Sequence, residues 1–399
     1  MAIAVDDLAG VGMVRERMSA GLRAEVFEDL AGVEALWRGL ESDPAVLATP
    51  YQRFDWVAAY LRAEPAAALR IIVLRDAAGR GRMILPLTVA RERGAAVARV
   101  VGAKHANYHM PLFASREAAA MPGEDLREAL RLVGGSAGID VYALSHQPRF
   151  WDGAANPLAL RAEPSPSDAY GLMLGPDPDS TMKRVFSADA RKKLRAKERK
   201  LVEGFGTIEH RVAATPEEAT AYLQAFYAQK AVRFAQMGVA DPYAEAGVRD
   251  FLSAGAAGEN SAIEVHALVA VETGRVLATF GGAVDTQRFS GMMTAFDGDP
   301  AASRWSPGDV LLHHLIRDQA VRGRRGFDLG VGEARYKASI CDETIELAEV
   351  AIPVTLRGTV FAMQAIGLSR LKRRIKRDPR LWAVIQRLRR WSARGAPAA

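Results

Sequence analysis

Asp328, Glu333, Tyr336 and Lys337 fall within ten residues of one another in the run Gly326-Phe-Asp-Leu-Gly-Val-Gly-Glu-Ala-Arg-Tyr-Lys337. A short apolar stretch here enters a glycine loop and leaves it through a polar cluster. Carboxylates flanking such a loop can take a proton from an attacking group, and a lysine can hold a phosphate or carboxylate as a point charge. Glu333 is the favoured base. Asp328 is the favoured structural anchor, because an Asp at a strand end commonly accepts hydrogen bonds from nearby amides. A lysine in general is a solvated surface group, but its place after a glycine loop favours a functional Lys337.

A second group lies in the first half, where His105, Asn107, Tyr108 and His109 crowd one polar loop. His105 and His109 have the i, i+4 spacing of helical metal ligands, but no flanking acid completes a set, so no metal site is expected. The loop is read either as a contact for an acceptor substrate at a domain interface or as an ordinary surface loop. His313 and His314 fall on an expected helix, in surface or cap-adjacent positions. Ser145-His146 lacks the Gly-x-Ser-x-Gly elbow, so a hydrolase triad is not supported.

These groups need elements to hold them. Ser306, Pro307, Gly308 and Asp309 are helix-start residues, since Ser or Asp caps free amides and Pro is tolerated in the first turn. Leu311, Leu312, Leu315, Ile316 and Ala320 then form one apolar stripe, and Gly323 and Gly326 end the helix. Residues 327–332 follow as a short strand. Upstream, strands are expected at 22–27, 69–76, 83–92, 97–101 and 139–144, with helices at 29–40, 51–62 and 123–133. Gly- and Pro-rich residues 154–180 read as a linker or as a set of exposed connections. The second half repeats the order: a basic helix at 188–203, a strand at 207–212, helices at 216–236 and 244–254, a meander at 263–272, 276–285 and 288–296, and a last strand at 345–355.

With 399 residues the chain exceeds what one core usually supports, so two domains are expected. The division is a lead-in over 1–20, a first domain over 21–165, a second over 166–357 and a helical tail over 358–399. The fold class is α/β (α+β), with a mixed, mostly antiparallel sheet flanked by helices in each half. A single cysteine, Cys341, excludes an intrachain disulfide and a cysteine-based metal site and fits a reducing cytoplasm. No apolar run is long enough to span a membrane, and the N-terminus lacks the pattern of a signal peptide. The net charge of +6 is uneven: residues 183–200 hold nine basic and two acidic groups, residues 370–394 eleven and one, and the remainder is acidic. Two basic segments on an acidic body point to anionic partners.

Four stretches carry a family resemblance. They are Phe54-Asp-Trp-Val-Ala-Ala-Tyr-Leu61 after Thr49-Pro50, Met83-Ile-Leu-Pro-Leu87, Arg191-Lys-Lys-Leu-Arg-Ala-Lys-Glu-Arg-Lys-Leu201 before Gly204, and Ser306-Pro-Gly through Asp328-Leu-Gly-Val-Gly to Tyr336-Lys337. In order and spacing the chain resembles the GNAT acyltransferase superfamily, in its tandem-domain CelD/BcsL-like branch, related to the FemAB peptidyltransferases. The resemblance implies two tandem GNAT-like domains. The first is degenerate and faces the acceptor; the second holds acetyl-CoA or another acyl-CoA, with no metal. It implies that Arg304, Ser306, Gly308, Asp309 and Val310 form the pyrophosphate loop, and that Tyr336 protonates the thiolate leaving group. The loop departs from the family pattern. Pro307 replaces a glycine and removes an amide donor, and Asp309 puts negative charge beside an anionic ligand.

By resemblance the acceptor is a small molecule or glycan-related compound of exopolysaccharide, cellulose or envelope metabolism, touched by His105, Asn107 and Tyr108. A FemAB-type, aminoacyl-tRNA-dependent transferase would instead use the 188–203 helix for tRNA, although that helix lacks interleaved aromatics. The third alternative is a non-catalytic, membrane-associated scaffold with a degenerate transferase fold. In the tail, Leu381, Val384, Ile385, Leu388 and Trp391 form an apolar stripe among arginines. Such a helix lies either on an anionic membrane surface, at the inner face of the membrane, or on its own domain.

Overall fold

The apolar runs pair into two large sheets in the computed structural model, which describes residues 14–17, 22–102, 104–258 and 260–378. In spatial order the first sheet contains Val14–Arg17, Arg23–Phe27, Ala68–Arg75, Gly81–Glu92, Ala95–Val100, Val141–Pro148, Leu347–Pro353 and Glu163–Pro164. Its one parallel junction joins Ala95–Val100 to Val141–Pro148. The second contains Ile208–Val212, Ile263–Ala270, Arg275–Val284, Arg288–Phe296, Gly326–Val331, Ala169–Met173 and Glu343–Ile345. It too has one parallel junction, between Arg288–Phe296 and Gly326–Val331. The expected fold class, two mixed and mostly antiparallel sheets flanked by helices, is the one the chain adopts.

The helices begin where capping chemistry places them. Thr215 accepts from the Glu218 amide ahead of Pro216–Met237, and Ser187 accepts from the Ala190 amide ahead of Ala188–Phe205. Gly238, in a left-handed conformation, ends the former. Pro307–Val321 starts at the expected proline, but Ser306 is itself left-handed (φ 50°) and makes no side-chain cap. The two bodies meet through aromatic packing: Trp56 of Phe54–Ala63 stands edge-on to Phe251 of Ala246–Ala256, with ring centroids 4.8 Å apart.

Four expectations give way here. Residues 154–180 are not a linker, because Ala169–Met173 sits between two strands of the second sheet. The single strand expected over 345–355 is two: Glu343–Ile345 pairs in the second sheet and Leu347–Pro353 in the first, with Glu346 alone between them. A sequence of alternating apolar residues does not show that successive residues serve different sheets. Val14–Arg17, expected to be a loose lead-in, is an edge strand against Arg23–Phe27. Finally, the end of the chain returns to the first body, so the boundaries at 165 and 357 do not separate the sheets. Helix Leu356–Arg377 packs Phe361 and Ala362 against Ala95, Val97, Val141 and Ala143. The tail stripe from Leu381 to Trp391 lies outside the described residues.

The start of that last helix leaves no room at Gly358, where an added Cβ would run into the Asp140 carbonyl oxygen. Val354 and Thr355 also donate their amides to this oxygen. Gly358→Ala should therefore lower stability to urea by about 1–3 kcal/mol, the usual cost of overpacking. Gly367→Ala, on the same helix with nothing within 4 Å of an added Cβ, should not.

Candidate active site

The strands Arg288–Phe296 and Gly326–Val331 run side by side for three residues only, pairing Arg288 with Gly326, Phe289 with Phe327 and Ser290 with Asp328. Beyond that point they part. The first body fills the apex of the opening: Asn107 Nδ2 donates to the Gly291 carbonyl at 2.8 Å and to the Tyr51 hydroxyl at 2.8 Å. Tyr51 bonds Ser290 Oγ at 2.8 Å, and Tyr108 bonds both Ser290 Oγ, at 3.1 Å, and the Asp328 carboxylate. Gly330, at φ 76°, leaves space for Asn107, since a Cβ there would lie 2.5 Å from Asn107 Oδ1.

Asp328 is completely buried. Arg288 Nη1 reaches its Oδ1 at 2.5 Å and Glu343 Oε2 at 2.9 Å, and the guanidinium lies over the Trp151 ring. Burial and the Glu343 carboxylate push the Asp328 carboxyl well above its ordinary range, and the adjacent guanidinium opposes them. Asp328 is thus the anchor of a closed polar network between the bodies.

The glycine loop places the remaining residues differently from one another. Lys337 is buried, and its ammonium donates to the Gly330 carbonyl at 2.9 Å and the Val331 carbonyl at 3.1 Å. It fastens the loop instead of standing free for a phosphate, as the sequence suggested. Burial lowers its pKa. Glu333 is exposed and lines a pocket of about 450 Å³ with Tyr170, Ala334, Lys337 and Ala338. Tyr336 is half exposed, and burial of its other half raises its hydroxyl pKa, keeping the phenol protonated at neutral pH.

At the other end of the opening stands the start of Pro307–Val321. Arg304 is exposed, with its guanidinium over the neighbouring Trp305 ring, and Val310 is buried in the core beneath. Asp309 is not bare: Lys197, from Ala188–Phe205, reaches its Oδ2 at 2.7 Å. A Cβ built on Gly308 would touch only Phe296, at 3.8 Å, so the backbone there can be approached closely.

The polar loop of the first body divides. Asn107 and Tyr108 enter the interbody network, and Tyr108 is fully buried, so its hydroxyl serves the joint and no acceptor can reach it. His105 lies apart, packed on Phe251 with ring centroids 5.1 Å apart. His109 is buried beside Gln147 and, for that reason, pushed down to about 3, which leaves it neutral. Among the described residues no group of three or more His, Cys, Asp or Glu is placed to hold a metal ion. Sequence reasoning missed Tyr51, Arg288, Ser290 and Glu343. Arg288 did leave a signal, because a charge opening an apolar strand needs a buried partner. A cleft of about 490 Å³ also opens between the bodies, lined by Glu41, Gln52, Arg53, Asp152 and Arg288 among others. The Gln52 side-chain amide there is buried with no hydrogen-bond partner for its nitrogen.

Residues 188–338 match the family model of the acetyltransferase (GNAT) domain. The structure of FemX is similar over 84% of this chain and 98% of its own, at 9% identity and a TM-score of 0.58. A conserved protein of unknown function from Bacteroides thetaiotaomicron VPI-5482 is similar over 82% and 97%, at 11% and 0.51. A tandem GNAT protein from the clavulanic acid biosynthesis pathway aligns over 86% and 99%, at 14% and 0.41. At these identities the first two likenesses concern the fold alone. No curated protein matches the chain.

Behind the helix start, His210, His266 and His314 stack. His210 Nε2 meets His266 Nδ1 at 3.0 Å, and Glu198 takes His314 Nε2 at 2.8 Å. Burial, followed by the neighbouring histidines, pushes His210 down to about 3. An unfolded histidine titrates near 6.5, so between these values the unfolded chain binds the extra proton. Stability should be full above about pH 6.5 and fall toward pH 3, by on the order of 2 kcal/mol after allowing for partial exposure. His210→Phe should flatten that part of a melting-temperature profile against pH.

Proposed function

We propose that the protein is an acyltransferase that takes its acyl group from acetyl-CoA or another acyl-CoA bound to the second body. The observation that supports this most is the helix start at Pro307. It combines first-turn amides and the positive end of a helix dipole with an approachable Gly308, and Lys197 offsets the charge of Asp309. The thioester would lie in the opening between Arg288–Phe296 and Gly326–Val331. An amine or hydroxyl attacks the thioester carbonyl, forming the new C–N or C–O bond as the C–S bond breaks. Glu333 takes the proton of the attacking group and Tyr336 gives one to the departing thiolate. The acceptor, by the CelD/BcsL-like resemblance, is a small-molecule or glycan-related compound of exopolysaccharide or cellulose metabolism in the cytoplasm.

A second reading, a FemAB-like transfer from aminoacyl-tRNA, draws support from the likeness to FemX and from the basic helix Ala188–Phe205 beside the same opening. A non-catalytic scaffold draws support from Asn107, which occupies the apex of the opening.

Calorimetric titration separates the three. Saturable acetyl-CoA or longer acyl-CoA binding, weakened about fivefold in Lys197→Ala, is expected from the first. Silence with CoA but binding of charged tRNA supports the second, and silence with both leaves the third. If the acyl-CoA reading holds, Glu333→Gln and Tyr336→Phe should each slow CoA release to a panel of amine and sugar acceptors by about 10²-fold or more, with acyl-CoA affinity kept. Unchanged rates in both would remove these roles.

A further inference from the structure

Helix Leu356–Arg377 has an inner face packed on the first sheet and an outer face of unusual composition. Leu356 is 87% exposed, Val360 51%, Met363 64% and Leu371 54%. At 3.6 residues per turn these four positions fall on one side of the helix, directly opposite the buried Gly358, Phe361, Ala362 and Ser369. The same helix holds seven Arg and Lys residues and no Asp or Glu. Arg370 is held by Glu163 at 2.8 Å and Lys376 donates to Ser167 at 2.7 Å, while Arg357, Lys372, Arg374 and Arg377 are exposed around the stripe. Beside Val360 a groove is lined by Arg357 and by one further guanidinium, that of Arg93 from a hairpin turn.

We propose that this face is a docking surface for an anionic lipid membrane, with Leu356, Val360, Met363 and Leu371 entering the interface and the flanking cations meeting the headgroups. An apolar stripe bordered by cations is the composition of helices that lie in the membrane plane. Each cation near an anionic surface adds to the attraction. Charge selects this occupant over the alternatives. A second copy would bring a seven-cation face against an identical one. Residues 379–399 of the same chain hold five more cations and no acid, so they repel the helix as well. No described helix is long and apolar enough to cross a membrane, which makes the contact a surface one. The contact differs from the one expected over residues 381–391 in using a face that the fold itself holds open.

The test is co-sedimentation of the full-length protein with vesicles of phosphatidylcholine and phosphatidylglycerol, and with phosphatidylcholine alone. Wild type should bind the mixed vesicles, release them as salt rises, and bind the neutral ones weakly. The double variant Val360→Glu with Met363→Glu, both positions being more than half exposed, should keep the wild-type melting temperature and lose about tenfold or more in vesicle affinity. Arg357→Gln with Arg374→Gln should lose affinity only for mixed vesicles. Equal binding by wild type and the Val360/Met363 variant would overturn the proposal. So would loss of binding confined to Leu381→Glu with Ile385→Glu, or a wild-type dimer in solution that the Val360/Met363 variant abolishes.

Discussion

Arg288 and Asp328 face each other at 2.5 Å in the wall between the two sheets, and neither has appreciable access to water. A charge in that position is tolerated only if partners replace its hydration, and removing one partner of such a pair typically costs about 3–5 kcal/mol. Here the partners come from both bodies: Tyr108 from the first and Glu343 from the second. The pair therefore couples packing to electrostatics. The two bodies must close in one register for the network to be complete, and the loop carrying Asn107 and Tyr108 is fixed by the same requirement. The opening between Arg288–Phe296 and Gly326–Val331 inherits its shape from that closure, because its apex is made of first-body side chains.

The glycines of the 326–332 stretch follow from the same geometry. Gly330 is left-handed and has Asn107 against the place a side chain would occupy. The loop then turns tightly enough for Lys337 to reach back to the Gly330 and Val331 carbonyls. A buried ammonium bound to backbone carbonyls stiffens the loop that carries Glu333 and Tyr336. These two side chains thus sit at the surface beside a loop that is tied back on itself.

Much of this was legible in the sequence at the level of elements. The periodicity of Leu311, Leu315 and Ile316 and the proline at 307 mark the helix, and the turns at Thr273-Gly274 and Thr286-Gln287 mark the meander. Asp328 reads as a structural anchor from its place at a strand end, but the partners it holds, Arg288 and Tyr108, are not the nearby amides that such a place suggests. What the sequence hid was long-range pairing. Nothing local distinguishes Ala169–Met173 from its Gly- and Pro-rich surroundings, since its partner strand begins more than 150 residues later. Tyr51 reads as a helix position, and only the closure of the bodies brings its hydroxyl to Ser290. Lys337 was misleading for a related reason: a lysine after a glycine loop has the same spelling whether it grips the loop or a ligand.

Glu346 is a single residue between a strand of one sheet and a strand of the other, and Ser165–Asp168 crosses the same boundary close by, with Ser165 donating to the Leu347 carbonyl and Leu347 to the Asp168 side chain. One residue spans at most about 3.8 Å between neighbouring Cα atoms. A clamshell motion that swung the bodies apart would have to tear strands out of both sheets at once. The chain thus stitches the two sheets together within a few residues, twice over.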